Sequence, residues 1–87
     1  AGKVDLPLYF YRDRDGREID LVIEMANSLY PIEIKMTSSP TLAMTRHFSA
    51  LADLPGLAAL GLGSILCRCE RLTWLSDSVV ALPIEYV

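Results

Sequence analysis

The sequence has few of the residues that form sulfur- or imidazole-based sites. Its 87 residues include one His and two Cys, Cys67 and Cys69. Because a C-x-C spacing on a strand points both thiols the same way, the two cysteines cannot easily bridge to one another. This pattern argues against a disulfide framework and against a zinc site, and it favours a reducing, cytoplasmic environment.

The sequence also lacks a long apolar run. Its longest low-charge stretch, residues 54–67, is interrupted by Pro55, Gly56, Gly61 and Gly63. It falls short of the roughly 18 to 20 apolar residues that a transmembrane helix needs. There is no signal-peptide pattern and no initiator Met at Ala1. We therefore expect no membrane segment, and we expect the chain to be a piece of a longer protein.

A basic surplus is absent as well. Eight Lys and Arg stand against 11 Asp and Glu, a net charge of -3, and the arginines of the run RDRDGRE (residues 12–18) alternate with acids. Strong nucleic-acid binders usually carry excess positive charge, so the composition argues against tight DNA binding by this chain alone. No G-x-x-x-x-G-K phosphate loop is present, so ATP binding by this chain is not expected.

What is present suits one packed domain spanning residues 1–87, with 52% hydrophobic and 22% charged residues. Alternation of apolar and polar residues predicts three consecutive antiparallel strands separated by turns at Arg14-Asp15-Gly16 and Ala26-Asn27-Ser28. Their segments begin near Leu8, Ile19 and Tyr30. The sequence thus predicts a central antiparallel hairpin.

A helix should follow, because Thr37-Ser38-Ser39 offers hydroxyl caps and Pro40 a first helical position. Leu42, Met44, Phe48, Leu51 and Leu54 then fall broadly on one helical face. A strand at residues 65–68 predicts a crossover to a parallel neighbour. Residues 72–84 predict a last hairpin, with Pro83 at a strand end. The predicted fold class is a mixed α/β sheet with a crossover helix.

The register of the central hairpin brings charged residues together. With a loop of two or four residues, paired positions sum to 53, so Asp20 faces Glu33. The same register predicts an apolar face, formed by Ile19, Leu21, Ile23, Tyr30, Ile32 and Ile34. The opposite face then collects Asp20, Glu33 and Lys35.

Two facing carboxylates repel one another unless a cation lies between them, and oxygen ligands of this kind suit Mg²⁺ or Mn²⁺. A nearby Lys35 can orient a water or stabilise charge on a phosphate. From spacing alone, an ordinary solvated strand face explains the same pattern. His47 and Arg46, in mid-helix, are assigned to the surface, although either could reach the same face.

Three strings, LYFYRDRDGREIDLVIE, LYPIEIKMTSSP and ALPIEYV, resemble the C-terminal domain of unknown function of prokaryotic AAA-superfamily ATPases, over essentially the whole chain. That family is similar to the PD-(D/E)XK nuclease superfamily, in which an Asp on one strand and an E-x-K on the next hold a catalytic metal. Asp20 matches the Asp, and Glu33 with Lys35 matches the E-x-K.

The resemblance implies a restriction-endonuclease-like fold and catalytic roles for Asp20, Glu33 and Lys35. It implies Mg²⁺ or Mn²⁺ held by Asp20, Glu33 and the Ile34 carbonyl, with a further acid and a covalently linked ATPase module upstream of Ala1. The resemblance leaves the substrate open, with DNA as a candidate partner. The alternative hypothesis is a catalytically degenerate module that docks DNA, protein or the ATPase ring, or an assembly domain whose strands pair between subunits of a homo-oligomer.

Overall fold

Seven strands form one mixed sheet in the computed structural model, which describes residues 7–54 and 59–86. The strands are β1 (Leu8–Arg12), β2 (Glu18–Met25), β3 (Ser28–Ile34), β4 (Ala59–Leu60), β5 (Gly63–Cys67), β6 (Thr73–Ser76) and β7 (Val79–Pro83). Short 3₁₀ helices lie at Leu42–Thr45, Phe48–Asp53 and Ile84–Tyr86.

The strand order is β1-β2-β3-β5-β7-β6, with β4 pairing beside β3. The pairs β1–β2, β2–β3 and β6–β7 are antiparallel, whereas β3–β5 and β5–β7 are parallel. The predicted mixed α/β class, the central hairpin and the parallel crossover are therefore confirmed. Pro83 ends β7, as predicted for a residue that cannot donate to a ladder.

The β2–β3 turn has two residues, Ala26 and Asn27, with φ of 51° and 63°. Such left-handed pairs close the tightest hairpins because their twist matches that of the strands. Leu21 pairs with Ile32 and Met25 with Ser28, so paired positions sum to 53 as predicted. The turn before β2 places Gly16 at φ 80°, where the lack of a Cβ removes the strain.

The crossover between β3 and β5 differs from the predicted continuous helix. It consists of two 3₁₀ helices, Leu42–Thr45 and Phe48–Asp53, separated by Arg46 and His47. The predicted hydroxyl caps are wrong: Thr41 occupies the cap position without a side-chain bond, and Thr37 instead accepts the N–H of Ser39 within its own loop. Tertiary contacts override the helical periodicity here, because the His47 ring contacts the backbone of Glu18 on β2.

Two buried clusters form the core. One joins Ile19, Val22 and Leu29 of the sheet to Phe48 and Leu51 of the second 3₁₀ helix. The other comprises Ile65, Cys67 and Ala81, with Met44 packed against it from the first 3₁₀ helix. The crossover therefore covers one face of the sheet, and its burial of apolar surface holds the layers together.

The predicted division of the hairpin into an apolar face and a charged face is wrong. Glu33 is only 6% exposed and follows the alternation of Leu29 and Pro31, both buried on the face that the crossover covers. Ile34, predicted to be on the apolar face, is 39% exposed.

A β-bulge explains why Ile19 also leaves its predicted face. The β1–β2 register changes from Tyr9 opposite Val22 to Tyr11 opposite Ile19, so two residues of β1 span three of β2. The extra residue breaks the strict alternation along β2 and brings Ile19 into the cluster of Val22 and Leu29.

In the part of the chain that the structure describes, no helix has both the length and the hydropathy to cross a membrane.

Candidate functional site

Asp20 lies on β2 one step beyond the paired residues Leu21 and Ile32. Its Oδ2 accepts the backbone N–H of Ile34 at 2.8 Å. The carboxylate thus binds the end of β3 directly, at the point where the bulge disturbs β2. The hydrogen bond fixes one oxygen of an otherwise exposed side chain against the neighbouring strand.

Glu33 is the buried carboxylate of the site. Burial, the charge of Asp20 and a hydrogen bond with Asp20 raise its pKa from 4.5 to about 7, and the charge of Lys35 offsets part of this rise. The structure therefore brings Asp20 and Glu33 together, as the register predicted. Near neutral pH Glu33 is poised between its acid and its carboxylate.

Lys35 follows β3 directly, and its backbone N–H donates to the Leu66 carbonyl of β5 at 2.9 Å. This bond continues the parallel pairing of β3 with β5 and fixes where the side chain starts. The Lys35 Nζ lies 3.9 Å from Glu33 Oε2, with nearly half of the side chain exposed. Lys35 can therefore contact both Glu33 and a ligand in solvent.

The three residues line a polar cleft of about 180 Å³ between the hairpin and the crossover. Its walls also include Gly16, Glu18, Met44, Arg46 and His47. The Glu18 carboxylate is engaged elsewhere, since its Oε1 accepts a hydrogen bond from Arg12 Nε at 2.8 Å. The cleft is thus small, contains both acidic and basic side chains, and is open to solvent on one side.

His47 and Arg46 were assigned to the surface from the sequence, and the structure places both in the wall of this cleft. His47 is half-buried, and its Nδ1 lies 3.3 Å from the Glu18 N and 3.2 Å from the Glu18 O. The only sequence signal was a lone His beside an Arg. This signal was weak because the helical pattern of apolar residues does not show that the helix breaks at Arg46 and His47.

The donor set suits a hard divalent cation. Asp20 and Glu33 offer oxygen ligands side by side, and burial together with the charge of Asp20 raises the pKa of Glu33 although Lys35 lies nearby. Two carboxylates suit Mg²⁺ or Mn²⁺ with most of the water shell retained. Across the described ranges, no group of three or more His, Cys, Asp or Glu side chains could hold a metal.

Other residues considered in the sequence have structural surroundings. Both cysteines are free, Cys67 in the core and Cys69 beside it, and burial together with a hydrogen bond between the two thiols raises the pKa of Cys69. At the first turn, Arg17 Nε binds Asp13 Oδ2 at 2.7 Å and Arg17 Nη1 lies 3.6 Å from Asp53 Oδ2. The turn is therefore tied to the second 3₁₀ helix.

Comparison with known proteins gives a family but no characterised relative. The family profile described as a domain of unknown function, DUF4143, matches residues 1–87. Uncharacterized protein Rv2008c of Mycobacterium tuberculosis and uncharacterized protein Mb2031c of Mycobacterium bovis are each 40% identical over 81 residues, 93% of this chain. The chain spans 17% of the length of each. No solved structure matches.

Proposed function

Because the chain belongs to the DUF4143 family, a domain of unknown function, we propose its activity from the cleft itself. We propose that this domain is PD-(D/E)XK nuclease-like and that, in the full-length protein, it carries out metal-dependent hydrolysis of phosphodiesters. Asp20 and Glu33 would hold Mg²⁺ or Mn²⁺ with the Ile34 carbonyl, and Lys35 would act on the water or the phosphate.

One observation carries the proposal: the β2–β3 register puts the Asp20 carboxylate on the Ile34 N–H, beside buried Glu33 and with Lys35 3.9 Å from Glu33. A solvated strand face would leave Glu33 exposed as well and would not hold the Asp20 carboxylate on the backbone of β3. Here a carboxylate is kept at 6% exposure next to a second carboxylate, an arrangement that costs free energy unless a cation binds.

The bound cation would supply Lewis acidity toward the phosphodiester. The chain's own residues have distinct tasks. Asp20, fixed by the Ile34 N–H, and Glu33, fixed by burial, define where a cation and a phosphate can sit. The Lys35 ammonium can donate a hydrogen bond to an attacking water or to a phosphate oxygen. In the net reaction a P–O bond to water forms, the ester P–O bond breaks, and a proton passes to the leaving oxygen.

The rest of the full-length protein belongs to the same proposal. The chain spans 17% of the curated relatives it matches, so most of each relative lies outside the matched region. We propose an upstream ATPase module there, and an upstream acid that completes the coordination of the metal. Two carboxylates alone leave Mg²⁺ mostly hydrated and poorly fixed, so we expect the 87-residue chain by itself to bind Mg²⁺ or Mn²⁺ weakly and not to cleave DNA at a useful rate.

The test is a Mn²⁺-supported nuclease assay on full-length protein, comparing wild type with Asp20→Asn and Lys35→Ala. Each substitution removes a charged group from the cleft, so we expect cleavage to fall by about 100-fold or more. Asp77→Asn is the matched control, because Asp77 is exposed in the β6–β7 turn and does not line the cleft. Thermal melts should show all four proteins folded.

Equal cleavage by wild type and Asp20→Asn would remove Asp20 from the mechanism. Absence of cleavage in every protein would favour the second candidate, a degenerate binding or assembly module. That candidate is supported by the sheet edges: β1 lies at one edge with Phe10 62% exposed, and β6 lies at the other with Trp74 58% exposed. Exposed apolar residues on edge strands are typical of surfaces that pair with another chain.

A further inference from the structure

The sheet has a second face, opposite the crossover, on which apolar side chains form rows across neighbouring strands. Residues that pair in register lie on the same face of a sheet. The central row runs from β2 through β3, β5 and β7 to β6 and consists of Leu21, Ile32, Ser64, Val80 and Trp74. Four of these five residues are apolar and none is charged. We call this surface the far face.

Two further rows extend the far face on either side of the central row. They are Leu8-Ile23-Tyr30, from β1 to β3, and Ile34-Leu66-Leu82, from β3 to β7. Neither row contains a charged residue. Three adjacent rows of this kind form a contiguous apolar surface, and soluble proteins rarely leave such a surface in contact with water unless it binds something.

The described elements leave the far face without a partner. Neither buried cluster formed by residues 7–54 and 59–86 includes a far-face residue. The third 3₁₀ helix, Ile84–Tyr86, has three residues and spans about 6 Å, whereas six strands are about 24 Å across. One large apolar residue of each row is exposed: Leu8, Trp74 and Ile34.

The direction of the central strands indicates what kind of layer fits the far face. β3, β5 and β7 are parallel, and parallel strands occur almost entirely in sheets with helices on both faces. Consecutive residues of these strands are buried, Ile65 with Leu66 and Val79 with Val80, as is typical of strands packed on both sides. Stacking on a second sheet is instead typical of antiparallel strands. The far face therefore suits helices better than the same face of a second copy.

We propose that the far face binds a layer of amphipathic helices supplied by the part of the same polypeptide that lies outside these 87 residues. A helix is about 10 Å across, so two helices side by side cover most of the sheet's width of about 24 Å. The curated relatives are long enough to supply them, because the matched region is 17% of each. Each helix presents an apolar residue to the rows at every third or fourth position.

The first test is hydroxyl-radical footprinting of the full-length protein, measured residue by residue with mass spectrometry. Leu8 on the far face and Leu42 on the crossover are a matched pair of leucines, 56% and 47% exposed. Leu42 lines a cavity with Pro31 and Phe48, on the other side of the sheet. We expect Leu8 to be modified about 5-fold more slowly than Leu42, because a covered side chain is shielded from solvent. Equal rates at the two leucines would overturn the proposal.

The second test identifies the occupant by photo-cross-linking in the purified full-length protein. Replacing Trp74 with p-benzoylphenylalanine keeps an aromatic side chain and allows it to bond to a neighbouring C–H group on irradiation. We expect a cross-link within one polypeptide, to residues outside the 87-residue region, with a yield that does not change on dilution. A cross-link between two copies that decreases on dilution would contradict the proposal and favour the assembly candidate, and the absence of any cross-link would also contradict it.

The third test places a charge on the far face. Trp74→Glu should lower the melting temperature of the full-length protein by about 5 °C or more, because a covering layer removes water from the new carboxylate. Leu42→Glu is the matched control and should lower it by less than about 2 °C, since Leu42 remains exposed on the crossover. Equal melting temperatures for the two variants would count against the covering layer. If Trp74→Glu does not fold, footprinting at Leu8 still decides. None of these measurements involves cleavage, so failure of the nuclease proposal leaves this inference unchanged.

Discussion

Glu33 occupies a position in β3 where packing alone would favour an apolar side chain. Its neighbours on that face, Leu29 and Pro31, are buried, and Val22 on β2 pairs with Pro31. A carboxylate in such a place loses water contacts, and the adjacent Asp20 adds repulsion, so the pKa of Glu33 rises to about 7. Keeping this carboxylate buried beside Asp20 therefore costs free energy of folding.

This raised pKa predicts a pH-dependent stability. The folded state holds the Glu33 proton more tightly than the unfolded chain, whose Glu has a pKa near 4.5. The stabilising effect is complete below pH 4.5 and is lost as the pH rises through about 7. Glu33→Gln, which is neutral throughout, should therefore gain about 1–3 kcal/mol in unfolding free energy relative to wild type between pH 4.5 and pH 8. Urea denaturation across that range measures the difference.

Subtracting the pH profile of Glu33→Gln from that of wild type separates the contribution of Glu33 to the unfolding free energy from that of the other carboxylates. Mg²⁺ should restore stability to wild type at pH 8, where Glu33 is ionised, and should do so less at pH 5 or in Glu33→Gln, since cation binding to the folded state stabilises it by mass action. Parallel pH profiles for the two proteins would contradict the buried, coupled state of Glu33.

At the scale of elements, the crossover is held to the sheet by close packing of Phe48 over β5. A Cβ on Gly63 would lie 2.6 Å from the Phe48 ring, a separation that packed atoms do not reach. Gly63 itself is buried, and its N–H donates to the Ser78 carbonyl at 2.8 Å. The absence of a side chain at Gly63 therefore lets the second 3₁₀ helix approach the sheet and form one wall of the fold's core.

Gly63→Ala should lower the unfolding free energy by about 1–3 kcal/mol, because the added methyl group forces Phe48 or the strand to move. Phe48→Leu should also destabilise by itself, since it leaves a void in the core. In the double variant, the smaller leucine side chain leaves room for the added methyl group. The loss of unfolding free energy in the double variant should therefore be smaller than the sum of the losses in the two single variants. Chemical denaturation of wild type, the two single variants and the double variant gives the four unfolding free energies of a double-mutant cycle. Additive losses would show that Gly63 and Phe48 do not contact.

At the scale of the whole molecule, charge limits what the chain can bind without a metal. The net charge is -3, and two arginines of the first turn are paired, Arg12 with Glu18 and Arg17 with Asp13. We therefore expect the 87-residue chain to bind duplex DNA weakly, with a dissociation constant near or above roughly 10⁻⁴ M at physiological salt, and to lose that binding steeply as salt rises.

Fluorescence anisotropy with a labelled duplex in EDTA, at several salt concentrations, measures this affinity. Tight binding at physiological ionic strength would contradict the charge argument and would favour the binding-module alternative. Lys35→Ala serves as a comparison, because a weak electrostatic contact through the cleft should decrease further when that charge is removed.

The sequence by itself determined most of the strands and the pairing of β2 with β3. The alternation of apolar residues and the two-residue turn at Ala26-Asn27 predicted which residues of β2 and β3 face each other. A change of one residue in the register would move every side chain to the other face of the sheet, so the pattern of apolar residues specifies the register. That is why the adjacency of Asp20 and Glu33 could be predicted. The C-terminal hairpin and the parallel position of β5 beside β3 followed from the same local patterns.

The tertiary structure alone decided which face is buried and what closes the cleft. The bulge in β2 depends on pairing with β1 and leaves no mark in the alternation of the sequence, so Ile19 was assigned to the wrong face. Glu33 was assigned to a solvated face because the sequence does not show which face of β3 the crossover covers. At the break between the two 3₁₀ helices, His47 contacts Glu18, a residue 29 positions away in the chain. Local periodicity carries no information about contacts between segments so distant in the chain, and these contacts decide which residues line the cleft beside Asp20 and Glu33.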